Sequence, residues 1–316
     1  RLPVCESLAE GQSRPQTPGY QPPPDIHMPH HRYAVLADIH GNVPALEAVL
    51  EEISHSPVDG VLIAGDLVGG PDGDGVIERL ASYEATTVLG NGEEAVLAFE
   101  HGEVAPEQRA DLQWAFTRTC FHRTGLAAMS TMKRLQPQLS IHQDGTSSIR
   151  VVHGTTASST EVIRPDRNPE RISEILDEMA GTILIGGHTH EQWIFHHAGK
   201  FAFNPGSVGG PCNGDNRAQY ATLTWDRAQW TVAHHTVAYD LERVRAAFID
   251  SGFLEEAGPM ARAQLEGIFH ADRTLGDLVR YARDMAMDEG LGKIRFVPDE
   301  IWLRAVSSFR WRLPAP

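Results

Sequence analysis

Cysteine is scarce in this chain of 316 residues. Only Cys5, Cys120 and Cys212 occur, far apart and in no Cys-x-x-Cys pair. Such spacing supplies neither a disulfide framework nor a zinc knuckle, so a buried or idle thiol is expected at each. Long hydrophobic runs are also lacking. No window approaches the roughly 18–20 apolar residues that span a bilayer. The N-terminus has no basic stretch leading into an apolar one, so no signal peptide is expected. A soluble, cytoplasmic chain with no membrane partner is the expectation. Basic residues are in deficit, with 27 Lys and Arg against 42 Asp and Glu, a formal net charge of −15. A broad grip on DNA or RNA needs clustered cations, and no stable nucleic-acid partner is expected.

Apolar residues are sparse in one place above all, the first thirty positions. Pro15, Pro18, Pro22, Pro23 and Pro24 lie among Gly, Gln, Ser and Thr. A segment of that composition buries too little surface to offset its ordering entropy, so residues 1–30 are expected to be a disordered tail. Met28, just before the first strand-like run, is the expected natural start; a genuine disordered tail is the alternative.

From Arg32 the pattern becomes strand, loop and helix. Tyr33 to Ala37 reads as a buried strand, Pro44 to Ser54 as an amphipathic helix, and Gly60 to Ala64 and Ala85 to Leu89 as further strands. This alternation implies an α/β layered fold with parallel pairing in its first half. Strands are then expected over Ser148 to Val152, Thr182 to Ile185, Gln192 to Phe195, Lys200 to Phe203, Gln219 to Trp225 and Gln229 to Val237. Their close succession favours an antiparallel or mixed sheet. Helices are expected over Asp240 to Ile249, Gly258 to Phe269, Thr274 to Met287 and Pro298 to Phe309. Their apolar residues suit packing on the core, with a lid or a homo-oligomer contact as the alternatives.

Five short motifs end predicted strands: Asp38-Ile39-His40, Gly65-Asp66, Gly90-Asn91, Val152-His153-Gly154 and Gly187-His188-Thr189-His190. Sites in open α/β sheets form outside the carboxyl ends of strands. Singly, each motif is weak, since Gly-Asp is a common turn and a lone His is commonly a surface or core residue. As an ordered set they define a site. Imidazole with carboxylate favours manganese, iron, nickel, cobalt or zinc. Two such dications outweigh two carboxylates, so the centre would attract a phosphate despite the acidic chain.

The series D-x-H, G-D, G-N, H-G and G-H-x-H resembles the calcineurin-like metallophosphoesterase superfamily from about Tyr33 to Leu241. The runs Ala37 to Leu50 and Asn204-Pro205-Gly206-Ser207-Val208-Gly209 are similar to its compact bacterial and archaeal branch. The resemblance implies a four-layer αββα sandwich of two mixed β-sheets flanked by helices. The metallophosphoesterase domain would span residues 31–241, with a helical C-terminal extension over 242–316. It implies two divalent metal ions, manganese favoured, with Asp38, His40 and His190 on the first, Asn91, His153 and His188 on the second, and Asp66 bridging. The implied reaction is hydrolysis of a small phosphodiester or nucleotide by a metal-bridging hydroxide. His40 and His190 are then candidates to assist proton transfer, and Asn91, Gly92 and Glu93 to meet the substrate. Gly206 and Ser207 form a turn or line the substrate mouth.

One departure matters. The family usually carries Asn-His at the third motif, where this chain has Asn91-Gly92. That His protonates the leaving group, and a positioned general acid contributes roughly 10²–10⁴-fold. Its loss favours diesters over monoesters, or a substitute acid among Glu93, Glu94, His101 and His122. Arg118 and Arg123 are candidate phosphate clamps. A metal-bound module that recognises a nucleotide or phosphorylated ligand without turnover is the alternative function, and a scaffold using its helical tail as an interface is a further one.

Overall fold

The structure is a computed structural model that describes residues 25–27, 32–83, 85–142 and 145–313. Its strands are β1 (Asp25–His27), β2 (Arg32–Leu36), β3 (Gly60–Ile63), β4 (Thr86–Thr87), β5 (Gln138–His142), β6 (Ile149–Val152), β7 (Ile183–Ile185), β8 (Gln192–His197), β9 (Lys200–Pro205), β10 (Ala218–Trp225) and β11 (Trp230–Val237). Its α-helices begin with α1 (Val43–His55), α2 (Gly73–Ala81), α3 (Asn91–His101), α4 (Pro106–Ala110), α5 (Ala115–Arg123), α6 (Leu126–Met132) and α7 (Pro169–Glu178). They end with α8 (Leu241–Asp250), α9 (Phe253–Ala257), α10 (Pro259–His270), α11 (Thr274–Asp288) and α12 (Asp299–Ser308).

Two mixed sheets result. One runs β11-β10-β2-β3-β4, in which β2, β3 and β4 are parallel and β10 returns antiparallel beside β2. The other runs β1-β5-β6-β7-β9-β8. Alternation along β2 sorts its side chains between two layers. Ala34 and Leu36 join the cluster under α1, while Tyr33 and Val35 join the one between the sheets. Ile149, Val151, Ile183 and Ile185 meet them there from the second sheet. The outer face of that sheet, with Val152, Leu184 and Ala202, is covered by Ile172, Ile175 and Leu176 of α7. The order of layers is therefore helices, sheet, sheet, helix, the expected αββα sandwich.

Helix α1 forms where the sequence pattern places it. Asn42 caps it by accepting from the Ala45 N–H at 3.1 Å, Pro44 occupies its first turn, and Leu46, Val49, Leu50 and Ile53 are buried. The C-terminal helices split into two groups. Val244, Phe248, Phe253, Leu254, Ala261, Leu265 and Ile268 belong to the same core as α1, whereas α11 and α12 close a smaller core around Trp302 with Ala263 of α10.

Several expectations need correction. Asp25–His27, placed in the unstructured tail, forms β1 and pairs parallel with β5. Met28, Cys5 and the proline run lie outside the described residues. The strand expected over Ala85 to Leu89 shrinks to two residues with an isolated bridge from Val88 to Gln136, because β4 is an edge with β3 as its one ladder partner. Strand β5 and helices α2 and α7 were not foreseen. Among the described residues no helix is long and apolar enough to cross a membrane.

Candidate metal centre

The strand ends converge as the topology requires. Asp38 and His40 follow β2, Asp66 follows β3, Asn91 opens α3 after β4, His153 follows β6, and His188 and His190 follow β7. Five of these seven take a left-handed backbone: Asp38 (φ 54°), His40 (50°), Asp66 (57°), His188 (65°) and His190 (58°). Left-handed non-glycine residues cost about 1–2 kcal/mol each, and such outliers gather where function holds them. The loops are held by close backbone packing. The N–H groups of Asp38, Ile39 and Gly41 donate to the carbonyls of Gly65, Asp66 and Leu67 at 2.8–3.0 Å. A Cβ at Gly209 would collide with the Ile39 carbonyl oxygen, and one at Gly70 with that of His40.

The donor set can be read atom by atom. A carbonyl oxygen only accepts, so Nδ1 of His153, 2.6 Å from the Ala64 oxygen, carries a proton. The same holds for Nδ1 of His190, 2.6 Å from the Gly210 oxygen, and of His40, 3.2 Å from the Val68 oxygen. Every Nε2 therefore points inward. The His40 and His190 Nε2 atoms stand 3.1 Å apart. Nε2 of His190 is 3.3 Å from Asp38 Oδ1, and Nε2 of His153 is 3.3 Å from Asp66 Oδ2 and 3.0 Å from Asn91 Oδ1.

Three imidazole nitrogens, two buried carboxylates and an amide oxygen thus face one another. Such a set is repulsive unless protons or cations are shared within it, which is the chemistry that fits a divalent metal. Two groups could each hold an ion: Asp38, His40 and His190, and Asp38, Asp66 and His153. Both carboxylates lie between the imidazoles. Asp66 Oδ2 is 3.6 Å from His40 Nε2 as well as close to His153, and Asp38 Oδ1 is 3.9 Å from His153. His188 belongs to neither group; its ring stacks edge-on against His153 at 5.2 Å, and its N–H donates to Asp38 at 3.0 Å.

The electrostatics follow from burial and these pairs. Burial resists a charge on His153, but the Asp66 carboxylate outweighs it and lifts the ring to about 10. Burial likewise opposes and Asp38 overcomes it at His190, which is raised well above an ordinary imidazole. At His40 and His188 burial prevails and both are lowered. Burial would raise the two carboxylates, yet the imidazoles beside them hold both below the usual range.

Glu93 needs the plainest correction. It was a candidate for substrate contact or general acid, and burial with the nearby Asp66 charge pushes it up to about 7. Its geometry forbids either role. The side chain is wholly buried, Oε1 accepts from the N–H groups of Leu67 and Val68, and Oε2 from those of Asp66 and Gly90, all at 2.7–3.0 Å. Glu93 staples the Asp66 loop to the start of α3. Gly92 does reach the cleft, and its N–H donates to Asp66 Oδ1 at 2.7 Å. Glu94 accepts from Ser159, and His101 and His122 are exposed away from the cleft. Arg118 is spent on the Gln108 and Asp111 carbonyls, and Arg123 on Glu256 and the Ser251 carbonyl.

Supporting residues to which the sequence reading gave no such role sit behind the ligands. Asn204 donates to the Gly187 carbonyl at 2.5 Å and accepts from Gly206 at 2.9 Å, fixing the turn that carries His188. Ser207, buried, donates to the Asp38 carbonyl at 2.7 Å, and Asn42 donates to the Gly209 carbonyl at 2.8 Å. The Asn-Pro-Gly-Ser-Val-Gly run was the signal for Asn204 and Ser207, and the Ala37 to Leu50 run for Asn42. Gly206 and Ser207 do not line the mouth, while Gly209 and Gly210 do.

The mouth opens into a cleft of about 450 Å³. One wall comes from α3 and α5, with Val96 and Phe116; the other comes from α10 and α11, with Gln264, Ile268 and Leu275.

This fold is shared with known proteins. Residues 32–228 match the calcineurin-like phosphoesterase superfamily domain, and the chain belongs to that superfamily. An uncharacterized protein of Methanocaldococcus jannaschii is 22% identical over 241 residues, covering 71% of this chain and 95% of its own length. A metallophosphoesterase from Sphaerobacter thermophilus has a similar structure, with a TM-score of 0.60 at 24% identity over 76% of this chain and 99% of that one. A hypothetical protein from Pyrococcus horikoshii gives 0.62 at 21% identity over 77% and 99%. At these identities the likeness is one of fold.

Proposed function

We propose that the chain is a dinuclear metal-dependent phosphoesterase that prefers diesters to monoesters. The observation that carries the reading is the inward convergence of acceptor atoms, Nε2 of three imidazoles and the oxygens of Asp38, Asp66 and Asn91, at the end of an open cleft. Asp38, His40 and His190 would hold one ion. Asp66, Asn91 and His153 would hold the second, with His188 beside them and both carboxylates between the two sites. Bound there, divalent ions such as manganese would supply Lewis acidity and an activated water.

The chain's own contributions follow. Backbone carbonyls fix the tautomers of His40, His153 and His190. The Gly92 N–H and the Glu93 staple orient Asp66. His40 and His190 reach the cleft with Nε2 atoms 3.1 Å apart, where as ligands they would orient the attacking water, their Nδ1 protons being held by backbone carbonyls. Gly92 brings no side chain to the cleft, and Asp272, the acid beyond the metal end, is tied to Arg312 and Thr274. A poor leaving group therefore meets no free acid at the Gly92 position or at Asp272, and the diester preference rests on that.

The test is a manganese-reconstituted assay with bis-p-nitrophenyl phosphate, p-nitrophenyl phosphate and 2′,3′-cyclic nucleotides. Diester turnover should exceed monoester turnover. Faster monoester cleavage would sink the preference, and two bound metals with no turnover would leave a binding module instead.

A further inference from the structure

The family match ends at residue 228, yet the cleft is closed by residues 263–280. Those residues are not a neutral wall. At Leu275, Gly276 and Arg280 the cleft meets a second groove of about 680 Å³, which those three residues also line. The groove runs along the outer face of α11, and its floor is apolar, with Val279, Met287 and Ile294. Its charge is opposite to that of the molecule. Arg280, Arg283 and Lys293 line it against one acid, Asp284, in a chain of net charge −15.

The availability of these cations differs from that of the arginine nearer the metals. Arg273 is pinned, donating to Glu191 at 2.8 Å and to the Thr189 carbonyl at 3.1 Å, so it braces the turn carrying His190. Among the described residues Arg280 pairs with Asp277 alone, three residues back on its own helix, at 3.1 Å and with both side chains about half exposed or more, at 66% and 49%. Exposed pairs of this kind hold little free energy and yield readily to a better anion. Arg283 and Lys293 are exposed on the same groove. A cationic rim over an apolar floor, continuous with a metal-bearing cleft, suits a flat base followed by a phosphate.

We propose that α11 selects the substrate, and that Arg280 and Arg283 bind a second anionic group on the far arm of the phosphodiester. The substrate class is then a nucleotide diester bearing a further phosphate, such as a 5′-phosphorylated dinucleotide. This inference rests on the phosphoesterase reading of the metal centre, but it concerns recognition and can fail separately.

The experiment measures binding by calorimetry to the metal-reconstituted full chain, using a dinucleotide with a non-hydrolysable methylenephosphonate linkage, with and without its 5′-phosphate. Charge-assisted contacts predict about tenfold tighter binding of the phosphorylated form, falling as salt rises. In an Arg280→Gln, Arg283→Gln variant whose thermal midpoint is retained, the ratio between the two ligands should fall to about one. Arg280→Lys should keep part of the preference. Equal binding of the two ligands by the native chain, or a preference that survives the double variant, overturns the proposal. Hydrolysis of bis-p-nitrophenyl phosphate is followed in parallel. Its absence would overturn the enzymatic reading while the binding ratio still decides the role of α11.

Discussion

At the scale of single residues, the metal centre was legible as a set of residue types and illegible as a set of bonds. Asp38, His40, Asp66, Asn91, His153 and His190 could be picked out because polar residues at the ends of apolar strands have few other reasons to be there. Their left-handed backbones could not be foreseen, since Asp and His, though enriched at positive φ, take it far less regularly than glycine does. Glu93 shows the limit more sharply. An acid beside a ligand reads as a catalytic candidate, but four backbone N–H groups claim its two oxygens. Glu93→Gln keeps the shape and turns an NH₂ toward N–H donors. Leaving such buried groups unpaired costs about 1–3 kcal/mol. The variant should unfold at lower temperature and also bind metal less tightly, because Asp66 loses its support. Unchanged melting in a thermal scan would return Glu93 to the list of functional side chains.

At the scale of elements, most strands were legible, and β5, short and half polar, was not. Val61, Leu62 and Ile63 in β3, and Ile183, Leu184 and Ile185 in β7, are buried throughout and read directly as strands. Strand β5 alternates Leu139 and Ile141 with Ser140 and ends in His142, so its pairing with β6 decides it rather than its composition. The tail was legible as helices, but not as the second wall of a cleft, because helical periodicity marks a buried face without saying what covers it. That wall depends on the small core of α10, α11 and α12. Trp302 is buried to 1% exposure at its centre. Trp302→Ala should cost about 3–5 kcal/mol of local stability. Hydrogen exchange should quicken in α11 and α12 while β2, β3 and β7 stay protected, and substrate KM should rise with metal content unchanged. Loss of protection across both sheets would mean that the C-terminal helices are inseparable from the sandwich.

At the scale of the whole molecule, the sandwich packs apolar cores that contain none of the candidate metal ligands. The clusters under α1, between the sheets and under α7 are apolar and complete without them. Chelation should therefore abolish hydrolysis and lower the melting temperature without unfolding the chain. Free metal at a hundred times its dissociation constant adds about 2.7 kcal/mol, or roughly 4 °C for a chain of this size. The size of that gap depends on pH, and its sign is fixed by the imidazoles. In the metal-free protein His153 titrates at about 10 and His190 well above its ordinary value, so both hold a proton near neutrality. Their ion pairs with Asp66 and Asp38 give stability that is complete below about 6.5 and is lost as pH rises through the folded values. Ligation needs the same nitrogens deprotonated, so ions must displace those protons and bind more tightly as pH rises. The two trends run in opposite directions. The difference in melting temperature between metal-loaded and chelated protein should be small at pH 6 and widen toward pH 9. Calorimetric titration of manganese should release protons near neutral pH, and less as the pH is raised. A gap that stays constant over that range, with no proton release, would mean that His153 and His190 are not where the metal binds.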